Sequence, residues 1–125
     1  MMANRLLFLA PVPPSDHQGG GPLRMLHLLR FLGSRFHVDL VAPAVDGWEN
    51  AQNSLQGVCA ETTFVPPQGP GLLDRLGRVS PYVKDRALAS VVRERLASGV
   101  YGAVHVEKLG LIASLPTQLA IPVVL

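Results

Sequence analysis

One cysteine in 125 residues, Cys59, excludes an intrachain disulfide and a cysteine-rich zinc site. Beside Val58 in an apolar helical pattern, it reads as a small packed hydrophobe rather than a nucleophile. Charged residues are sparse at 16%, and the net charge is only +2. The basic residues are scattered from Arg5 to Lys108, with no nucleic-acid motif and no stripe of basic and aromatic residues. Nucleic acid is therefore not an expected partner. No apolar run approaches the roughly 20 residues that a spanning helix needs. Leu6 to Val12, after Arg5, imitates a short signal peptide. It is broken by Pro11, Pro13 and Pro14, lacks a small-x-small cleavage pattern, and reads as a buried first strand. No two histidines have the i, i+4 spacing of a helical metal site, so no metal is expected. Internal repeats and low-complexity tracts are also missing.

What is present is an alternation of apolar runs and helical patterns, which argues for βαβ units and a parallel sheet. Strands are expected over 5–12, 36–42, 62–65, 103–106 and 121–125. Helices are expected over 22–33, ended by Gly33, over 48–60, capped by Asp46, and over the short stretch 72–79. Two more are expected: one from Ser80-Pro81 to Ala97, with Val83, Ala87, Val91 and Leu96 inward and Gly99 beyond its end, and one over 109–115. The order specifies one Rossmann-like, doubly wound parallel sheet of about five strands, ordered 3-2-1-4-5, with helices on both faces. A chain ending on its fifth strand is expected to be a fragment of a longer protein, because the next site-forming loop would begin there.

The most informative stretch is Ser15-Asp16-His17-Gln18-Gly19-Gly20-Gly21-Pro22, which joins the first strand to the first helix. Glycines in that position let backbone N–H groups approach a ligand at a helix start, where the dipole favours anions. The simpler reading is a tight connection and nothing more. Arg24 in the first helical turn opposes the dipole at a cost of about 0.3–1 kcal/mol, so a negative group is expected near it. G-x-x-x-x-G-K-[ST] is absent. Gly19-Gly20-Gly21-Pro22-Leu23-Arg24 meets only two glycines of G-x-G-x-x-G and lies too far from the strand end. Both a P-loop and a dinucleotide enzyme are disfavoured.

In a sheet of this order, ligands sit outside the C-terminal strand ends. The glycine loop with His17, the end of the second strand near Pro43, and His105, Glu107 and Lys108 after the fourth strand should converge there. His105 and Glu107 alternate onto one face and suit a sugar hydroxyl or acid–base chemistry. Against this stand a His105 packed in the sheet with one nitrogen satisfied, and a solvated Glu107–Lys108 loop. His27 and His37 read as structural.

The chain resembles the N-terminal domain of a family 4 (group 1) glycosyltransferase of the GT-B fold. The residues that carry the resemblance are Arg5-Leu-Leu-Phe-Leu-Ala-Pro-Val-Pro-Pro14, Gly19-Gly20-Gly21-Pro-Leu-Arg24, His27-Leu-Leu-Arg-Phe-Leu32 and Phe36-His-Val-Asp-Leu-Val-Ala-Pro43. Tyr101-Gly-Ala-Val-His-Val-Glu107 matches that family's fourth strand, with Gly102 where Asp is usual, and Pro122-Val-Val-Leu125 its fifth. The resemblance implies an acceptor-side domain of a retaining enzyme that moves a sugar from a nucleotide-sugar to a glycan or lipid-linked acceptor. It implies no tightly bound cofactor and no metal. It makes Gly19, Gly20, Gly21, Arg24, His17, Glu107 and His105 the substrate- and phosphate-binding candidates. The catalytic residues would lie beyond Leu125 and on a C-terminal Rossmann-like domain, so the chain alone should be inactive. The resemblance places the parent in the cytoplasm, working at the inner membrane face; Leu72, Leu73, Arg75, Leu76 and Arg78 form an amphipathic candidate for that contact, against the commoner reading of a surface helix that covers the core. The alternative is a non-catalytic, flavodoxin-like module that binds a ligand or partner. A receiver domain is excluded, because Ala10-Pro11-Val12 and Val65-Pro66 stand where its acidic residues belong.

Overall fold

The computed structural model describes residues 4–16, 20–67, 86–107, 115, 116, 119 and 121–124. Five strands run β1 (Arg5–Leu9), β2 (His37–Pro43), β3 (Glu61–Val65), β4 (Ala103–Val106) and β5 (Val123–Val124). All pair in parallel, in the order β3-β2-β1-β4-β5, as the pattern predicts. Three helices are described: α1 (Gly20–Gly33), α2 (Trp48–Ser54) and α3 (Arg86–Ala97). The helices expected over 72–79 and 109–115, the Ser80-Pro81 start, Val83, Lys108 and the Leu72–Arg78 amphipathic stretch lie outside the described residues.

Strand alternation sorts the core into two layers. Leu6, Phe8, Ala10, Val38, Leu40 and Ala42 meet Met25, Leu26 and Leu29 of α1. Leu7, Leu9, Val41, Val104 and Val106 meet Leu88 and Val92 of α3 on the other face. Helices thus cover both faces, and the fold is an α/β, Rossmann-like doubly wound sheet. β1 and β4 lie at its centre, and the chain's winding direction reverses between them.

Several boundaries differ from expectation for local reasons. β1 ends at Leu9, because the backbone turns out of the sheet into Pro11, Pro13 and Pro14, none of which can donate a ladder bond. β5 is confined to Val123–Val124. α2 starts on Gly47 (φ 90°) with no side-chain cap bond, so Asp46 is not its cap. It stops at Ser54 rather than continuing to 60. The Val58 and Cys59 amides turn back onto the Leu55 carbonyl, with Gly57 at φ 80° between them. On α3 the buried stripe is Leu88, Ala89 and Val92, with Ala87, Val91 and Leu96 partly buried at its margin. Gly99, at φ 73°, follows the helix end as expected. Gly33 is required for a different reason: it does not take a left-handed cap, but a methyl group there would overlap the Val58 carbonyl oxygen.

At the N-terminal edge of the sheet, Asp39 is buried and fully engaged. Arg5 grips both its oxygens, at 3.1 Å and 2.8 Å, and the Tyr101 hydroxyl donates to Oδ2 at 2.6 Å. Burial and the bond to Asp39 push the Tyr101 hydroxyl up to about 12. Burial, reinforced by the Asp39 charge, pushes the Cys59 thiol up to about 12, in keeping with a packed, unreactive cysteine. Arg95 of α3 pairs with Glu61 and donates to Thr63 Oγ1 at 2.6 Å, fastening the helix to edge strand β3.

Candidate functional site

The chain leaves β1 through Ala10, whose amide bonds Val41 O at 3.1 Å, and crosses the C-terminal strand ends over 10–16. Pro13, Pro14 and Ser15 are buried there, and the Ser15 amide donates to Pro22 O at 3.2 Å, tying the loop to the first turn of α1. Helix α1 begins at Gly20, two residues earlier than expected, and holds Pro22 in its first turn, where a missing N–H costs nothing. A side chain at Gly20 or Gly21 would meet no atom within 4 Å. Space in front of these two glycines is open, so packing does not demand glycine at either. His17 and Gly19 lie outside the described residues.

Beside this loop, Glu107 is fixed by its own backbone, its amide donating to Leu9 O at 3.1 Å. Its carboxylate lies on the α1 face of the sheet with His105, as alternation predicts. Oε1 accepts from the Arg24 guanidinium, and Oε2 is 2.9 Å from His105 Nε2. The His105 ring stacks on Phe8, with centroids 4.7 Å apart and planes 15° apart. Phe8 thus supports His105, and His105 and Arg24 hold Glu107 just past the end of β4.

Exposure within the cluster is uneven and decides what each group can do. The Glu107 side chain is 5% exposed, His105 13% and Arg24 63%. The alternative of a solvated loop start at Glu107 therefore does not hold; its carboxylate is buried and doubly bonded. His105 does pack in the sheet with one nitrogen satisfied, and the group that satisfies it is Glu107. The negative partner that Arg24 calls for is also Glu107, so the chain itself supplies it. The carboxylate keeps lone pairs for a ligand hydroxyl, and Arg24 keeps N–H groups facing solvent. A site of matched charges with spare donors and acceptors suits a polar, hydroxyl-bearing ligand.

Of the residues foreseen from sequence, Arg24, His105 and Glu107 come together, with Gly20 and Gly21 opening the helix alongside. Pro43 ends β2 on the same edge but has no part in the cluster. His27 and His37 are both exposed, His27 one helical turn after Arg24 on α1 and His37 at the start of β2. Among the described residues no group of His, Cys, Asp or Glu could hold a metal ion. No described helix is long and apolar enough to cross a membrane. Sequence reasoning missed the Asp39 network, although a lone acid inside an apolar strand was its signal.

The fold and this edge define a doubly wound α/β chain with a polar cluster where its winding reverses. No family model, curated protein or solved structure matches it.

Proposed function

We propose that this chain is the acceptor-side half of a retaining, nucleotide-sugar-dependent glycosyltransferase. One observation carries the reading: Arg24, Glu107 and His105 meet where the winding reverses between β1 and β4, the place where open α/β sheets bind their ligands. The sequence resemblance supports the same reading, and it supplies the reaction class. In this reading Glu107 accepts a hydrogen bond from an acceptor hydroxyl, Arg24 and His105 hold the carboxylate in place, and the open Gly20–Gly21 backbone lines the cleft. The donor nucleotide-sugar and the groups that handle its diphosphate belong mainly to a second Rossmann-like half. The acceptor is a glycan or a lipid-linked sugar.

Calorimetric titration of the chain with neutral oligosaccharides tests this. Binding is expected in the wild type and is expected to weaken about ten-fold or more in Glu107→Ala, the loss of one or two hydrogen bonds to a charged group. Equal affinity of the two proteins for every glycan that binds would sink the reading.

A further inference from the structure

Trp48, the chain's single tryptophan, is placed by a turn. Its amide donates to Val45 O at 3.1 Å, and Gly47 holds φ 90° and ψ 1°, a type II geometry that favours glycine at this position. The turn lays Trp48 against Phe64 of β3, with ring centroids 5.7 Å apart and planes tilted by 41°. Both rings are half-buried, and Val45 beside them is exposed. Phe64 pairs in register with Ala42, so the two rings lie on the α1 face of the sheet, at its C-terminal edge. Leu55, just past α2, packs in the same layer as Leu26 and Leu29 of α1. The two helices therefore lie on one face, and both begin at that edge.

The aromatic shelf thus shares an edge and a face with the Arg24–Glu107–His105 cluster. Three strand spacings of about 4.8 Å separate β3 from β4, so the two lie about 14 Å apart. A single sugar ring cannot span that; a chain of sugars can. The chemistry of the shelf also selects its occupant. A pyranose presents C–H groups on its flat side, and these carry the partial positive charge that the negative face of an indole attracts. Exposed Glu49, Asn50, Gln52 and Asn53 on α2 supply carboxylate and amide groups of the kind that bond sugar hydroxyls. No Lys, Arg or His occurs between His37 and Arg75. A phosphate would meet carboxylates and no cation from this stretch of chain, whereas a neutral sugar meets no penalty.

We infer that Trp48 and Phe64 form a stacking subsite for a neutral sugar, and that the acceptor is an oligosaccharide lying along this edge from Glu107 to Trp48. The inference rests on the acceptor reading above and narrows it from any glycan or lipid-linked sugar to an extended one.

The test is fluorescence and calorimetric titration of the full chain with gluco-, manno-, galacto- and chito-oligosaccharides of increasing length, from the single sugar upward. Trp48 emission reports this one site. It is expected to change with chains long enough to reach from Glu107 to the shelf, and not with single sugars or disaccharides. Trp48→Leu should weaken the longer chains about three- to ten-fold and leave disaccharides alone, a pattern that loss of folding would not give. Trp48→Phe, which keeps an aromatic face, should retain most of the affinity. Unmoved emission with an oligosaccharide that Glu107→Ala weakens would overturn the inference and leave the acceptor reading standing. Emission that responds to chains indifferent to Glu107→Ala would sink the acceptor reading and the span with it. A response to uridine and to no oligosaccharide would overturn the inference, as would an absence of binding across the panel.

Discussion

Arg24 and Glu107, 83 residues apart in sequence, form an ion pair that joins the first turn of α1 to the end of β4. The two members are unequal, since Glu107 is buried and Arg24 stands mostly in water.

That inequality fixes the order of two substitutions. Glu107→Ala removes the partner of both Arg24 and His105 and should cost about 1–3 kcal/mol. Arg24→Ala should cost less than about 1 kcal/mol, because water already solvates much of the guanidinium. Urea unfolding of the two variants and the double variant would check this, with a coupling of a few tenths to about 1 kcal/mol expected.

Asp39 is the more sensitive carboxylate. Asp39→Ala leaves the part-buried Arg5 without its bidentate partner and should destabilise by about 3–5 kcal/mol. Tyr101→Phe deletes one hydrogen bond from the same group and should cost about 1–2 kcal/mol. Denaturation midpoints would show the gap, and equal losses would mean that Arg5 contributes nothing to the network.

Stability should decline in alkali. The Tyr101 hydroxyl rises from 10.0 to about 12 and the Cys59 thiol from 9.0 to about 12 on folding. The unfolded chain therefore loses these protons first as pH rises. Stabilisation from both groups is complete below pH 9 and is lost as pH climbs through 9–12. Melting temperatures across that range should fall, and they should fall less steeply in Tyr101→Phe and in Cys59→Ala. Cys59 should also react slowly with a disulfide reagent near neutral pH, where its thiolate is scarce.

Glycines on the same helix should respond oppositely to alanine. Gly33→Ala forces a methyl group onto the Val58 carbonyl and should destabilise by about 1–3 kcal/mol. Gly21→Ala enters open space within a helix and should be neutral or stabilising by up to about 1 kcal/mol. Thermal melts of the two single variants would separate them.

The sheet was legible because its inner strands β1 and β2 are buried on both faces and so read as apolar runs. Strand order followed from the alternation of those runs with helical patterns. The cluster was partly legible: a cation in a helix's first turn demands a negative neighbour, and alternation placed His105 and Glu107 on one side. Their pairing with Arg24 depends on a contact between residues distant in the chain, which no local pattern encodes. Local chemistry also misled at α2, where Asp46 looked like a cap but Gly47 in a left-handed conformation starts the helix. The exposure of Phe31 was hidden for a related reason: apolar identity suggests burial, but only the position of the sheet decides which side of α1 is covered.

The central claim, that the Arg24–Glu107–His105 cluster is where this chain holds its ligand, is tested most directly by a backbone amide spectrum recorded during titration with a binding oligosaccharide. Shifts are predicted at Gly20, Gly21, Arg24 and Glu107, with those at Arg5, Asp39 and Tyr101 on the opposite edge unchanged. Ligand-induced shifts that avoid Arg24 and Glu107 and gather elsewhere on the sheet would contradict it.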